Sequence, residues 1–417
     1  MRIILLGSGG VGDAFARIAA RRSFFEAVVV ADYDLARAER TVAAVRERHP
    51  GDDRFVAARV DASDADAVAA LVREHRGTHV MNAVDPRFVM PIFTGAYAAG
   101  ADYLDMAMSL SQPDAEQPYT KIGVKLGDEQ FAAAEEWERA GRLALVGMGV
   151  EPGLSDVFAR YAADHLFSQI DELGTRDGSN LTVEGYDFAP SFSIWTTIEE
   201  CLNPPVIWTA ERGWYVVEPF SEPEVFDFPG GIGPVECVHV EHEEVLLMPR
   251  WIDAQRVTFK YGLGNEFIEV LKTLRKIGLD KTSPVPVKGS PAGGGDPTSV
   301  LVSPRDLVAA CLPDPAYLGE AMRGATCAGV WVTGTGQDGQ PRQVYLYHLV
   351  DNADSMREYG AQCVVWQTAV NPVVALELLA SGVWSGVGVL GPEAFDAEPF
   401  LELLAGAYAS PWGLQER

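Results

Sequence analysis

Positive charge is scarce in this chain. Against 59 aspartates and glutamates stand 33 lysines and arginines, a formal net charge of -26 over 417 residues. Nucleic acid and anionic membrane surfaces require basic patches, so neither is expected as a partner. A small substrate is still allowed, because a local pocket can differ in charge from the whole. Cysteine is sparse too. Cys201, Cys237, Cys311, Cys327 and Cys363 are scattered, odd in number and without Cys-x-x-Cys or zinc spacing. They read as reduced thiols of a cytoplasmic protein rather than a disulfide frame. No charged-then-apolar leader precedes the first strand, no apolar run reads as long enough to cross a bilayer, and there is no internal repeat or low-complexity tract.

What is present is ample apolar content, 47% of the residues, in a chain long enough for two domains. The first twelve residues organise it. Ile3-Ile4-Leu5-Leu6 reads as a buried parallel strand, running straight into Gly7-Ser8-Gly9-Gly10-Val11-Gly12 and then a helical spacing from Asp13 to Ala20. In strand, Gly-x-Gly-x-x-Gly, helix, the glycines permit the tight turn, the approach of a pyrophosphate and close helix packing. The helix N-terminus supplies N–H groups and partial positive charge to the phosphates. A second apolar strand, Ala27 to Ala31, ends in Asp32, twenty residues after Gly12. A carboxylate there accepts from the adenine-ribose hydroxyls and repels a 2′-phosphate, so NAD is expected over NADP; Arg37 and Arg40 on the next helix argue the other way.

Strand and helix alternate to about Val150, which implies a parallel, doubly wound sheet. Arg54 to Val60 is the third strand, closed by Asp61, which either meets the adenine or caps the helix from Ala65. His79 to Val84 is the fourth; Asn82 and Ala83 lie at its nicotinamide-facing end, followed by Asp85 and Pro86. Ser109 to Gly127 reads as a loop near the mouth of the site. After the strand Leu143 to Met148 and the segment Gly149-Val150-Glu151-Pro152-Gly153, composition changes. Strands with alternating character are expected at 181–186, 213–217, 234–240, 244–248 and 256–261, with a hairpin across 327–334 and 343–348. Residues 281–299, with the cluster Pro291 to Gly295, read as an exposed connection, and Val370 to Leu379 as helix.

With Gly7-x-Gly9-x-x-Gly12, Gly149-Val150-Glu151-Pro152-Gly153 and Gly185-Tyr186-Asp187-Phe188 in order, the chain resembles the saccharopine dehydrogenase family, nearly end to end. The resemblance implies a Rossmann domain over 1–150, completed by 365–417, and an inserted α+β substrate-binding and dimerisation domain over 151–364 with a mixed, largely antiparallel sheet. It implies a homodimer, an amino-acid or imine substrate, and hydride transfer between a nicotinamide and a carbon bearing nitrogen. Saccharopine reductases and lysine 6-dehydrogenases share that chemistry; carboxynorspermidine-type reductive coupling and a non-catalytic NAD(H) sensor are the alternatives. A sensor would present an occluded or apolar face to the nicotinamide.

Such chemistry needs position, charge and a proton path from the protein. Asp85, Glu151 and Asp177 are the candidate carboxylates to hold an ammonium or take its proton. Glu151 leads, although it could simply cap the helix near Leu154, and the other two could be turn residues. Arg250, Lys260, His239 and His242 are candidates to meet a substrate carboxylate. Spacing of three in a strand puts His239 and His242 on opposite faces, so no metal site is expected even with Glu241, Glu243 and Glu244 nearby. Tyr186, Phe188, Phe192 and Trp195 read as core before substrate lining.

Overall fold

The computed structural model describes residues 1–288 and 299–417. The first 145 residues build six parallel strands: β1 (Arg2–Leu6), β2 (Ala27–Asp32), β3 (Phe55–Arg59), β4 (His79–Asn82), β5 (Asp102–Asp105) and β6 (Leu143–Leu145). The helices between them are α1 (Gly10–Ala19), α2 (Leu35–Arg48), α3 (Ala65–Glu74), α4 (Val89–Ala99), α5 (Asp128–Ala132) and α6 (Ala134–Arg139). Spatial order is 388–390, β6, β5, β4, β1, β2, β3, with every pair parallel. Four successive aliphatic side chains, Ile3 to Leu6, are fully buried; each contributes roughly 1.5–3 kcal/mol. Order reverses between β1 and β4, and a crevice opens there beyond the carboxyl ends of the strands.

A second, nine-stranded sheet follows α7 (Leu154–His165). Its centre is β7 (Phe167–Ser179), parallel to Arg256–Gly262 on one side and antiparallel to Ala325–Gly336 on the other. The expected hairpin is there, Ala325–Gly336 against Pro341–Asp351. A helix, α8 (Ile194–Leu202), lies between the sheet and the crevice.

Several expectations need correction. Glu244–Leu247 is a helical turn, not a strand, because Glu243 to Leu247 are all buried and a strand would send alternate residues to opposite faces. Only Thr182–Val183 of the stretch 181–186 forms a strand. Val285–Lys288 pairs with Ser299–Val302 in an exposed ribbon; the cluster Pro291 to Gly295 lies outside the described residues. Within 365–417, Gly388–Leu390 joins the parallel sheet, but Gly413–Glu416 pairs with Pro341–Asp351 in the other sheet.

One helix, Cys363–Ser381, is long and apolar enough to cross a membrane, contrary to the expectation, with a mean hydropathy of 1.5. It serves as a core element: 78% of its apolar window is buried, and it carries Gln367 and Asn371, both buried. All five cysteines are free, Cys311 alone exposed.

Candidate active site

The crevice at the carboxyl ends of β1 and β4 contains a cavity of about 410 Å³. Its lining includes Gly9, Gly10 and Val11 of the glycine loop, Asn82 to Pro86, Glu151, Glu200 and Glu243.

The glycine end fits a dinucleotide pyrophosphate. Gly9 caps α1 without a side-chain acceptor, so the first N–H groups of the helix remain free for an anion. A Cβ on Gly12 would overlap the Gly7 carbonyl oxygen, whereas at Gly9 there is open space. Gly7 takes a left-handed φ of 91°, and its turn rests against Ala83, whose N–H bonds the Leu6 carbonyl at 2.8 Å. Ser8 donates from both its N–H (2.9 Å) and its hydroxyl (3.0 Å) to Asp32 Oδ2, and the Asp34 N–H donates to Oδ1 at 3.0 Å. Asp32 is thus locked to the phosphate loop at the end of β2.

Asn82 is buried, donating to Tyr103 Oη (3.0 Å) and accepting from the Val84 N–H (3.0 Å), which shapes the turn at the nicotinamide edge. Asp61 is exposed and accepts from Ser63. The helix from Ala65 is capped by Asp64 rather than Asp61.

Among the three candidate acids, Glu151 and Asp177 meet. Glu151 lines the cavity and accepts from the Gly329 N–H at 3.1 Å, while Asp177 lies behind it. Burial, then the Asp177 carboxyl, hold the Glu151 pKa well above the ordinary range. Burial likewise raises Asp177 to about 7, against the Glu151 hydrogen bond and nearby His242. The pair therefore shares a proton near neutrality. Helix α7 is not capped by Glu151: its N-cap is Gly153, whose N–H donates to Asp156 Oδ2 at 2.7 Å. Asp85 lines the same cavity, but it caps a short turn and is paired with Arg87 at 2.9 Å.

The expected cations are placed elsewhere. Arg250 lies over the Phe131 ring at 3.7 Å, Lys260 pairs with Glu224 at 2.7 Å, and His239 Nδ1 bonds the Phe259 carbonyl at 3.0 Å. His242 is the exception in approaching the site. The strand carrying His239 ends there, so alternation no longer governs His242, whose ring stacks on Phe259 at 3.8 Å between centroids. Ligand atoms of His242, Glu243 and Glu244 lie within 4.8 Å of one another. Burial opposes a charge on His242, but Glu244, bonded to its Nδ1 at 2.6 Å, together with Glu243 and Glu200, pushes it up to about 10.

Several site residues escaped the sequence reading. Glu200 and Glu241 are each pushed up to about 8, mainly by burial. Asp105, raised by burial to about 7, accepts from Tyr103, Gln130 and the Gly147 N–H, joining the ends of β5 and β6. The available signal was an acidic run, Glu241-His242-Glu243-Glu244, set between Val240 and Val245-Leu246-Leu247-Met248: charge enclosed by apolar sequence. The 109–127 segment is tied down by Ser111, which donates to Glu241 at 2.8 Å, and does not line the main cavity. Phe192 and Trp195, read as core, do line it; Tyr186 is exposed and Phe188 stacks on Phe267.

Six carboxyl side chains line the cavity, Asp85, Asp105, Glu151, Glu200, Glu243 and Asp314, and among the described residues no lysine, arginine or histidine does. The face offered to a nicotinamide is thus open and acidic, the opposite of the face a sensor would present.

Comparison with known proteins agrees with this architecture. Residues 3–145 match the saccharopine dehydrogenase NADP binding domain, and 149–408 match the saccharopine dehydrogenase C-terminal domain. A carboxynorspermidine synthase from Vibrio alginolyticus is 30% identical over 100% of this chain and 97% of its own. A carboxyaminopropylagmatine dehydrogenase from Synechocystis is 27% identical over 99% of this chain and 96% of its own. Saccharopine dehydrogenase (L-Glu forming) from Saccharomyces cerevisiae shares the fold, with a TM-score of 0.67, 14% identity and coverage of 100% and 99% of the two chains. The chain belongs to the saccharopine dehydrogenase family and is a nicotinamide-dependent oxidoreductase acting on substrates that carry amino groups.

Proposed function

We propose that the protein couples a cationic amine to a short amino-acid aldehyde and reduces the imine between them to a secondary amine, giving a carboxylated polyamine-type product. The carrying observation is the cavity lining of six carboxyl groups and no base. Saccharopine bears three carboxylates and would find no cation in this lining to pair them, whereas a polyamine brings the positive charge that the acids lack. The two relatives' names support the reading, since each denotes a polyamine or agmatine bearing a carboxylated arm.

A bound nicotinamide supplies the hydride to the imine carbon. The chain's own part begins with dehydration: amine and aldehyde form a carbinolamine, and loss of its hydroxyl as water requires a proton. Glu151 holds one, at the cavity wall beside Asn82 to Pro86. That proton leaves with the water, and Glu151 is reloaded by the proton the substrate ammonium loses as its nitrogen attacks, with Asp177, hydrogen-bonded to Glu151, as the relay.

We read the cofactor as NAD(H), on the carboxylate of Asp32 at the adenine-ribose position. Arg59, which donates to the Tyr33 carbonyl, and Arg37, over the Tyr33 ring, are the groups that would favour a 2′-phosphate instead.

The test is oxidation of NADH and of NADPH at 340 nm with 1,3-diaminopropane or agmatine plus the four-carbon α-amino-acid aldehyde that cleavage of such a product would release. Turnover requiring both substrates is expected, with saccharopine and lysine inert in the reverse assay. Oxidation of saccharopine or lysine, with no diamine-dependent rate, would overturn the proposal.

A further inference from the structure

We infer that Glu200 and Glu243 form a subsite for the distal, non-reacting cation of the amine substrate, and so decide that the substrate is a diamine or guanidino-amine and not a monoamine. The inference rests on the substrate reading above and assigns its specificity to two side chains.

Both line the cavity, and both also line a small adjoining pocket, with Met108, Trp195 and Glu241, that no residue of the glycine loop enters. They come from different elements held in register by the backbone: the Glu241 N–H donates to the Glu200 carbonyl at 3.0 Å, fixing the last turn of α8 against the segment that carries Glu243. The Glu200 carboxyl has no hydrogen-bond donor among the described residues. Glu243 is 4% exposed; its Oε1 accepts a long bond from the Met108 N–H at 3.4 Å, and its Oε2 has no hydrogen-bond partner. His242 Nδ1 stands 3.3 Å from that oxygen, but its proton is aligned on Glu244 Oε2 at 2.6 Å.

Glu243 Oε2 is a buried carboxyl oxygen without a donor; that is costly, and the cost is relieved by a ligand that brings N–H groups and positive charge. Protonated His242 already balances Glu244. His242 is thus a single imidazole shared among three carboxyl groups, Glu244, Glu243 and Glu200. An ammonium offers three N–H donors and a guanidinium five, and either can bridge two carboxylates from different elements. A methyl group in the same place would leave both acids unpaired. Glu151 lines the main cavity but not that adjoining pocket, so one substrate can present a reacting nitrogen to Glu151 and its distal charge to Glu200 and Glu243.

The experiment compares 1,3-diaminopropane, agmatine and propylamine as amine substrates for the wild type and for Glu200→Gln and Glu243→Gln. Binding of each amine to the protein with NADH is followed in parallel by calorimetry. Wild type is expected to favour the two dications over propylamine by about 100-fold in kcat/KM. Each variant should raise the dication KM at least about tenfold, as expected for one charge-assisted bond lost, with kcat changed far less. Its preference over propylamine should fall to within about tenfold, with NADH affinity unchanged. The ammonium and guanidinium arms show which cation the pair fits better. Wild-type turnover of diamines with discrimination intact in both variants would overturn the subsite alone. A wild type that binds neither dication would overturn the substrate reading and the subsite together.

Discussion

Glu151 and Asp177 form a half-buried carboxyl pair, Glu151 at the cavity wall and Asp177 beside it. The arrangement has a kinetic consequence. Two carboxyl groups in contact resist ionising together, so one proton is retained near neutrality. Glu151→Gln should therefore lower kcat by about 100-fold or more, within the range for loss of a positioned acid, while NADH affinity changes little. Asp177→Asn removes the like charge that helps raise Glu151, so the acid form of Glu151 should be lost at lower pH. The alkaline limb of the kcat profile should then move toward acid. An unshifted profile would mean that Asp177 does not set the proton affinity of Glu151.

A second pair lies farther from the cavity. Asp156 and Glu393 are both buried, and three of their four carboxyl oxygens have no hydrogen-bond donor. Burial raises both, Glu393 to about 7. The folded state holds a proton that the unfolded chain releases near its ordinary value of 4.5. Stability therefore falls as pH climbs from there through about 7, by roughly 1.4 kcal/mol for every tenfold drop in proton concentration across that interval. Glu393→Gln should remove this loss. Its melting temperature, measured against wild type, should gain at pH 8.5 and differ little at pH 5. Parallel curves for the two proteins would show that Glu393 holds no proton in the folded state.

The first sheet was largely legible because a parallel strand buried on both faces is written as a continuous apolar run. Ile3 to Leu6 and Ala27 to Ala31 are such runs, and the glycine loop between strand and helix carries its own chemistry. The central strand of the second sheet was missed. Phe167–Ser179 contains Asp171, Glu172, Arg176 and Asp177, and reads as polar. Its charges are satisfied only by distant partners: Arg176, 1% exposed, pairs with Glu224 at 2.5 Å, and Glu172 accepts from Thr258 at 2.8 Å. No local pattern reveals a partner about 50 or 90 residues away. The same holds for the site, where Glu151 stood out in a distinctive segment, while Glu200 belongs to it only because α8 folds back over the crevice.

Gly9 and Gly12 should separate two roles within one motif. A Cβ on Gly12 would overlap the Gly7 carbonyl oxygen, backbone that cannot swing aside. Gly12→Ala should therefore destabilise the fold by about 1–3 kcal/mol, the usual cost of overpacking, seen as a lower melting temperature without cofactor. At Gly9 there is no atom for a Cβ to meet, so Gly9→Ala should melt like wild type and bind NADH at least about tenfold more weakly. Equal melting temperatures for the two variants would contradict the packing role of Gly12.

In the NAD(H) reading proposed above, Asp32 carries the cofactor preference. Its two oxygens already accept from Ser8 and from the Asp34 N–H, so the carboxylate is held in place, and a 2′-phosphate beside it would meet a fixed negative charge with lone pairs still free for ribose hydroxyls. Asp32→Ser removes that charge and leaves Arg37 and Arg59 near Tyr33 as the nearby cations. NADH should bind more weakly and NADPH more tightly, moving the ratio of kcat/KM values toward NADPH by about tenfold or more, equivalent to about 1.4 kcal/mol. The swap should leave the dication preference untouched, since Glu200 and Glu243 line a pocket that neither Asp32 nor the glycine loop enters. A wild type that already prefers NADPH, with Asp32→Ser unchanged, would mean that the Ser8 and Asp34 bonds consume the carboxylate structurally and that the arginines read the cofactor.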